Sequence, residues 1–315
     1  MSTTTSATAP ATGESITEAQ KGTETGARRR PSSRHRSTPL TIAMLAALAY
    51  FLLPLLWLLI ASTKSTQDLF NSFGLWFSRS PRLLTNIRDT FTQDGGVFAH
   101  WLLNTAVYAI VSAVGAALLA AAGGYGFAKF RFRGDRAAFN LVLGAIMVPT
   151  TALAIPTYLL FAKAGLVNTP WAIILPSLVN PFGLYLMRIY AADAVPDSLL
   201  EAARIDGAGE ARIFCRIALR LLAPGLVTVL LFTLVATWNN YFLPLIMLND
   251  PKLYPITVGL SSWAAQAQNG GAGASSDMLA LVVTGSLISI IPLVAAFLLL
   301  QRYWQSGLAN GSVKH

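Results

Sequence analysis

The chain has 315 residues, of which 54% are hydrophobic and only 12% are charged. Soluble domains carry about 25% charged residues, so this composition excludes an ordinary soluble domain and is typical of a membrane protein. The net charge of +9 does not indicate a nucleic-acid-binding protein, because the basic residues are dispersed between apolar runs without an aromatic-interleaved patch. The single cysteine, Cys215, excludes disulfides within the chain.

Residues 1–38 are rich in small polar residues and charge, and nearly devoid of large apolar side chains. Such a segment buries too little apolar surface to fold alone, so we predict a disordered cytoplasmic tail. Its arginines favour retention in the cytoplasm, with a polybasic contact to lipid as the alternative. They are Arg28, Arg29, Arg30, Arg34 and Arg36. Residues 39–315 are predicted to form one membrane domain.

Six charge-free runs follow, each long enough to cross a hydrocarbon core that needs about 20 apolar residues. They are Leu40–Ala61, Trp101–Phe127, Ala138–Phe161, Trp171–Met187, Leu222–Leu248 and Met278–Leu300. The first run is longer than the apolar core of a signal peptide, about 7–15 residues, so we interpret it as a retained helix. The sequence therefore predicts an all-α membrane protein with six transmembrane helices.

The basic residues predict how these spans are oriented. With the N-terminus inside, 17 of the 23 Lys and Arg lie in cytoplasmic segments and 6 lie outside. The positive-inside rule then places both termini in the cytoplasm of the plasma (inner) membrane. Of the two long outer segments, Ser62–His100 is predicted to hold short interfacial helices. Asp250–Asp277, which contains Trp263 and a glycine-rich run, is predicted to form a flexible cap.

The longest predicted cytoplasmic loop covers residues 190–221 and makes up most of the stretch DSLLEAARIDGAGEARIFCRIALRLLAP, Asp197–Pro224. Ser198 and Glu201 have the spacing of a capping box, which predicts a helix start. Gly207 can take a positive φ, which would end that helix and permit a sharp turn. A second helix is predicted from Glu210, with its arginines on one side and its apolar residues on the other.

This stretch resembles the EAA loop of ABC-importer permeases, whose pattern is roughly E-A-A-x-x-D-G-A followed by I-x-L-P. The matching residues are Glu201, Ala202, Ala203, Asp206, Gly207, Ala208, Ile217 and Leu219. One position departs, because the expected proline is Arg220 and Pro224 follows four residues later. In the family this loop docks on the cytoplasmic ATPase, so the resemblance implies an ATPase-coupling role for residues 201–203 and 206–208.

Further motifs in chain order resemble carbohydrate-uptake permeases of the maltose type. They are Asn104-Thr105, Gly124–Arg133, Met147–Pro156, Leu166–Thr169, Trp238–Leu243 and the C-terminal QRYWQSGLANGSVK. The resemblance implies type I ABC importer permease architecture and import of a mono- or oligosaccharide. It also implies four kinds of partner: a second permease subunit, two ABC ATPase subunits carrying ATP and Mg, an extracytoplasmic solute-binding protein and the lipid bilayer.

Polar residues within the predicted spans are candidates for the translocation path, because polar groups in a membrane usually face a bundle interior or a wet cavity. Asn239 and Asn240 lie inside the fifth run, beside Trp238 and Tyr241. They are interpreted either as a sugar-path lining or as hydrogen-bonding contacts between helices. Prolines break two successive runs, and glycines in the second run are interpreted as sites of close packing. These are Pro149, Pro156, Pro176 and Pro181, and Gly115, Gly123 and Gly124.

The sequence also argues against other functions. It contains no G-x-x-x-x-G-K-[ST] phosphate loop, so no ATP site of that kind is predicted. Its three histidines lack metal-ligand spacing. The six runs hold no charge, which disfavours an ion-coupled secondary transporter or a membrane-embedded enzyme. An importer of a non-sugar solute remains the main alternative.

Overall fold

The computed structural model describes residues 38–270 and 277–310, and within these ranges it contains helices and no strand. This confirms the all-α prediction. Nearly all of the predicted tail lies outside the described residues. The chain divides into two compact units, Met1–Tyr50 and Phe51–His315. The described part of the first unit is helical, and the second unit holds every contact discussed below.

The described residues contain fifteen α-helices. They are α1 (Thr38–Ala61), α2 (Thr66–Asn71), α3 (Leu83–Thr92), α4 (Val97–Lys129), α5 (Asp135–Ile146), α6 (Ala154–Lys163), α7 (Trp171–Leu178), α8 (Pro181–Ala194), α9 (Asp197–Ile205), α10 (Glu210–Ile213), α11 (Leu219–Leu221), α12 (Ala223–Trp238), α13 (Phe242–Met247), α14 (Ile256–Asn269) and α15 (Met278–Asn310). A π-helical turn, Phe214–Ala218, joins α10 to α11.

Among the described residues, four stretches are long and apolar enough to cross a membrane: α1, α4, the α7–α8 stretch and α15. A fifth is reached if the bent pair Glu210–Leu221 and Ala223–Trp238 counts as one span. The third predicted run is not a continuous helix, because α5 and α6 are separated by a turn that contains Pro149. The count of six spans therefore stays a prediction, while the multi-pass helical fold is confirmed.

The predicted break in the fourth run is also present. Pro176 lies inside α7, and Pro181 opens α8 after a two-residue interruption. Asn180 stabilises this break, because its Oδ1 accepts from the Gly183 amide at 2.8 Å and its Nδ2 donates to Thr233 Oγ1 on α12 at 2.9 Å. The interruption is therefore hydrogen-bonded to a neighbouring helix, as broken helices in membranes require.

Helix α4 is the central packing element, with its most extensive contacts to α8 and α12. Small side chains on its inner face allow this approach; they are Ala109, Ala113, Ala116, Ala117, Ala120 and Ala121. A Cβ built on Gly124 would lie 2.6 Å from the Arg188 backbone nitrogen, and the other two predicted glycines face leucine side chains at 2.4 and 2.9 Å. The predicted close packing at Gly115, Gly123 and Gly124 is confirmed.

The long connection between α1 and α4 contains the short helices α2 and α3, as predicted, while their interfacial position stays a prediction. The connection between α13 and α15 differs from its prediction. Residues 256–269 form α14, and Trp263 within it is buried and donates from Nε1 to Asp94 Oδ2 at 2.9 Å. Gly259 permits this packing, because a Cβ there would meet the Trp101 ring. The predicted flexible cap is therefore wrong for α14.

Candidate coupling loop and translocation path

The EAA loop, residues 197–224, folds as two short helical segments joined at a glycine. Helix α9 ends at Ile205, and Gly207 has a φ of +79°. The Gly207 amide donates to the Arg204 carbonyl and the Ala208 amide to the Ala203 carbonyl, both at 3.0 Å. These bonds close the last turn of α9 in the way that a left-handed residue after a helix allows. The predicted glycine turn is confirmed.

The start of α9 differs from the prediction. The helix begins at Asp197 after Pro196, and no side chain caps its first turn. Ser198 thus lies inside the first turn, where it cannot act as the N-cap, so the predicted capping box with Glu201 is wrong. Asp197 supplies negative charge near the helix N-terminus, where it interacts favourably with the helix dipole. Its Oδ1 also accepts from Lys129 Nζ, at the end of α4, at 2.8 Å.

The second segment, Glu210–Leu221, divides its faces as predicted although its middle turn is π-helical. Its three arginines, Arg212, Arg216 and Arg220, are exposed. Ile213 and Ala218 are fully buried. The segment ends at Leu221 and is bent by 79° from α12, which carries Pro224 in its first turn. The displaced proline thus marks the start of α12.

An ion pair bridges the two segments on the exposed side. Arg204 Nε donates to Glu210 Oε1 at 2.6 Å, and Nη2 donates to Oε2 at 3.3 Å. This hydrogen-bonded pairing lowers the pKa of Glu210 and raises the pKa of Arg204. Both groups are solvent-exposed, so the pair is screened by salt and contributes little to folding. The pair links the end of α9 to the first residue of α10.

An apolar core fixes the loop to the rest of the protein. Leu200 on α9, Ile213 on α10 and Leu222 are buried in one cluster with Tyr125 of α4 and Met187 of α8. The Tyr125 ring also lies 5.4 Å from the Phe214 ring. The loop is thus packed directly against α4 and α8 in a close-packed interior. Sequence reasoning missed Tyr125, although it lies within the GYGFAKF motif.

The predicted coupling residues fall into two groups. Glu201, Ala202, Asp206 and Gly207 are exposed, whereas Ala203 is buried and Ala208 is half-buried. Ile205 is 87% exposed. The outward face of α9 is therefore an apolar and acidic surface, and Ala203 and Ala208 pack beneath it.

The candidate path residues lie at a break between helices, not within a continuous helix as predicted. Helix α12 ends at Trp238, and Asn239 is its C-cap, with Nδ2 donating to the Val235 carbonyl at 2.9 Å. Tyr241 is exposed, and its hydroxyl lies 3.1 Å from Ser261 Oγ. Among the hydrogen bonds of the described residues, none uses the Asn240 side chain. Of Asn239, Asn240 and Tyr241, Asn240 is therefore the one whose side chain has no hydrogen-bonding partner among the described residues, so its amide is uncommitted.

Trp238 does not share this environment. Its ring is buried, and Nε1 donates to the Ser289 carbonyl on α15 at 3.2 Å. It lines a groove of about 440 Å³ whose walls are apolar residues of α3, α4, α12 and α15. A sugar needs hydrogen-bonding partners for its hydroxyls, which this groove lacks. Trp238 therefore lies in an apolar environment.

The fold and the site define a multi-pass helical membrane protein that carries a compact helical loop packed onto α4 and α8. Comparison with known proteins gives the family. Residues 113–309 match the family described as binding-protein-dependent transport system inner membrane component. The chain belongs to this family.

Similar proteins cover nearly the whole chain. The arabinooligosaccharides transport system permease protein AraQ of Halalkalibacterium halodurans is 35% identical, over 86% of this chain and 94% of its own length. The lactose transport system permease protein LacG of Rhizobium radiobacter is 30% identical, over 87% and 94%. A bacterial ABC transporter involved in the import of the acidic polysaccharide alginate has the same fold, with a TM-score of 0.72, 23% identity and coverage of 87% and 99%.

Proposed function

We propose that this chain is the permease subunit of an ATP-driven importer and that it carries an uncharged mono- or oligosaccharide into the cytoplasm. Both termini and the EAA loop lie on the cytoplasmic side in this proposal, as the distribution of Lys and Arg supports. A reporter fused after Arg204 is expected inside and one fused after Lys252 outside. Both reporters on one side of the membrane would contradict this orientation.

The observation that carries the proposal is the attachment of the EAA loop to the membrane helices. The outward face of α9 is free, while its inward face is packed against α4 and α8 through Leu200 and Tyr125. A partner that grips the free face can therefore move the spans as rigid elements. The partner is an ABC ATPase, one of two in the complex, which binds ATP and Mg, whereas this chain carries neither.

Further partners complete the pathway. A second permease subunit forms the other half of the pore, and an extracytoplasmic binding protein delivers the solute. Closure of the ATPase pair pulls the two EAA loops together and turns the pore outward. The coupling is allosteric, because two distinct sites bias the same pair of global states. A secondary transporter needs no such loop, so the loop geometry favours the importer.

The uncharged cargo is supported by the charge-free runs and by the sugars named for AraQ and LacG. An ionic solute would lack a side-chain counter-charge in this half of the pore, and desolvating an unpaired ion is costly. The Asn240 amide, in contrast, can exchange water for a sugar hydroxyl.

The test uses the purified complex in proteoliposomes, with ATP hydrolysis measured as a function of the binding protein and its solute. We expect stimulation by sugar-loaded binding protein. Stimulation by an amino acid, a polyamine or an oxyanion, with none by a sugar, would show that the cargo is not a sugar. It would still agree with an ATP-driven importer. Uptake without any ATPase would favour a secondary transporter.

Asn240 offers a sharper test with a matched control. Asn240→Leu is expected to lower sugar uptake severalfold without loss of complex assembly, because it removes an uncommitted amide. Asn239→Leu, which removes an amide already bonded to Val235, is expected to lower uptake less. Equal uptake by Asn240→Leu and the unmodified chain would remove Asn240 from the path.

A further inference from the structure

The connection between α1 and α4 exposes a cluster of aromatic side chains. Residues 70–77, which we call the aromatic hook, follow the middle of α2 and contain four aromatic residues and one leucine in eight positions. Phe70, Phe73 and Trp76 are 74%, 73% and 69% exposed. Exposed apolar groups concentrated in this way mark a surface that another apolar phase covers.

The position of the hook relative to α1 indicates which phase this is. A Cβ built on Gly74 would lie 3.7 Å from Nε1 of Trp57, so the hook lies against the last turns of α1. Trp57 precedes the end of α1 by four residues, or about 6 Å along the axis. The 24-residue helix is about 36 Å long, against a hydrocarbon core of about 30 Å, so this level is the membrane interface.

A buried lysine holds the hook in this place. Lys64 is 1% exposed, and its Nζ donates to Ser72 Oγ at 2.9 Å and to the Phe73 carbonyl at 2.8 Å. Asn86 of α3 in turn donates to the Lys64 carbonyl at 2.9 Å. The hook is therefore preorganised by buried polar contacts, and its rings point away from them into the surroundings.

The charges beside the hook fit a lipid surface. Arg79 is exposed and has no ion-pair partner among the described residues, whereas Arg82 pairs with Asp277 at 3.0 Å. Aromatic rings are enriched at the headgroup level of both membrane interfaces, and an exposed arginine beside them can hydrogen-bond a lipid phosphate.

We propose that the aromatic hook is a membrane-interface anchor, clamped by Lys64, that inserts Phe70, Phe73 and Trp76 into the lipid beside the end of α1. Trp57 and the hook then form one continuous lipid-facing surface. The anchor fixes the depth in the membrane at which α1 ends and the α1–α4 connection begins. This inference does not depend on the nature of the transported solute.

The test is a depth measurement by electron paramagnetic resonance on the assembled transporter in nanodiscs of phosphatidylethanolamine and phosphatidylglycerol. Spin labels are attached at Phe73→Cys and Trp76→Cys, each with Cys215→Ser. Gln268→Cys, an exposed polar position at the end of α14, serves as the aqueous control. We expect oxygen collisions to exceed those of a water-soluble nickel chelate at positions 73 and 76, and the reverse at 268.

Two results would overturn the anchor. A nickel-accessible label at both hook positions would place the hook in water. Labels shielded from both oxygen and the nickel chelate would place the hook against a protein. That protein is a partner subunit if the shielding is always present, and the binding protein if the shielding appears only when the binding protein is added. The clamp is tested by Lys64→Met, which should increase label mobility at position 73; unchanged mobility would show that Lys64 does not hold the hook.

Discussion

The EAA loop and the α1–α4 connection both join spans, but they are held by different forces. The EAA loop is fixed by a glycine turn and an apolar core. Of its two ion pairs, Arg204–Glu210 is solvent-exposed, and Lys129–Asp197 joins a lysine side chain that is 6% exposed to a carboxylate that is 76% exposed. The α1–α4 connection is fixed by buried polar groups, among them Asn86, Lys64 and Thr284. Apolar packing moves as a unit, whereas buried hydrogen bonds specify one arrangement. The loop thus suits transmission of movement and the connection suits a fixed anchor.

The largest effect on stability is expected at Asn86. Its Nδ2 donates to the Ser62 and Lys64 carbonyls at 2.8 and 2.9 Å. Asn86→Leu leaves the buried Lys64 carbonyl unpaired, whereas the Ser62 carbonyl keeps its bond from Thr284 Oγ1 at 3.3 Å, so we expect a loss of about 1–3 kcal/mol in unfolding free energy. Denaturant unfolding of the purified complex measures it. Thr85→Ala, on the exposed side of α3, is the control; similar losses for both variants would show that the connection is not fixed in this way.

An intermediate effect, on function, is expected at Gly207. No atom lies within 4 Å of a Cβ at this site, so the cost of Gly207→Val arises from its φ of +79° alone, about 1–3 kcal/mol. We expect normal membrane levels and a loss of ATPase stimulation by the loaded binding protein. Gly209→Thr adds a side chain of similar shape at a φ of −71° and should retain stimulation. Equal stimulation in the two variants would show that the glycine turn is not required for coupling.

The smallest effect is expected at Glu210. Glu210→Gln removes the charge that pairs with Arg204, but both groups are exposed, so transport should change by less than about fivefold and unfolding hardly at all. Because the pairing lowers the pKa of Glu210, its contribution is present above the ordinary glutamate pKa and is lost as the pH falls through the lowered value. ATPase stimulation should therefore show no dependence on Glu210 between pH 6 and 8. A strong dependence removed by Glu210→Gln would contradict this.

The difference between the EAA loop and the α1–α4 connection also explains which features could be predicted from the sequence. The glycine turn and the two faces of Glu210–Leu221 depend on residues a few positions apart, so local patterns predict them. The capping box failed because Ser198 has the right spacing to Glu201, but the N-cap of α9 is Pro196, two residues earlier. Helix α14 depends on side chains distant in sequence, such as Trp263 with Asp94, 169 positions apart. The Lys64 clamp joins residues across the end of α2, eight and nine positions apart, where no regular helical pattern predicts the contact.

The predicted path residues show a second limit. A run of apolar residues with polar ones inside predicts a span, but it does not reveal that the helix ends at Trp238 and restarts at Phe242. The break depends on tertiary contacts, including Thr257 Oγ1, which donates to the Asn240 carbonyl at 2.7 Å. Sequence alone therefore could not separate Asn240, with its uncommitted amide, from Asn239.

The central claim is that the outward face of α9 docks on an ATPase, and the most direct test is photocrosslinking in the assembled complex. A benzophenone amino acid replaces Ile205, whose side chain is 87% exposed on this face. The same replacement at Gln268, on α14, is the control. We predict a covalent adduct with the ATPase subunit from position 205 and none from position 268. An assembled complex that gives no adduct at 205, or gives the ATPase adduct at 268, would contradict the account.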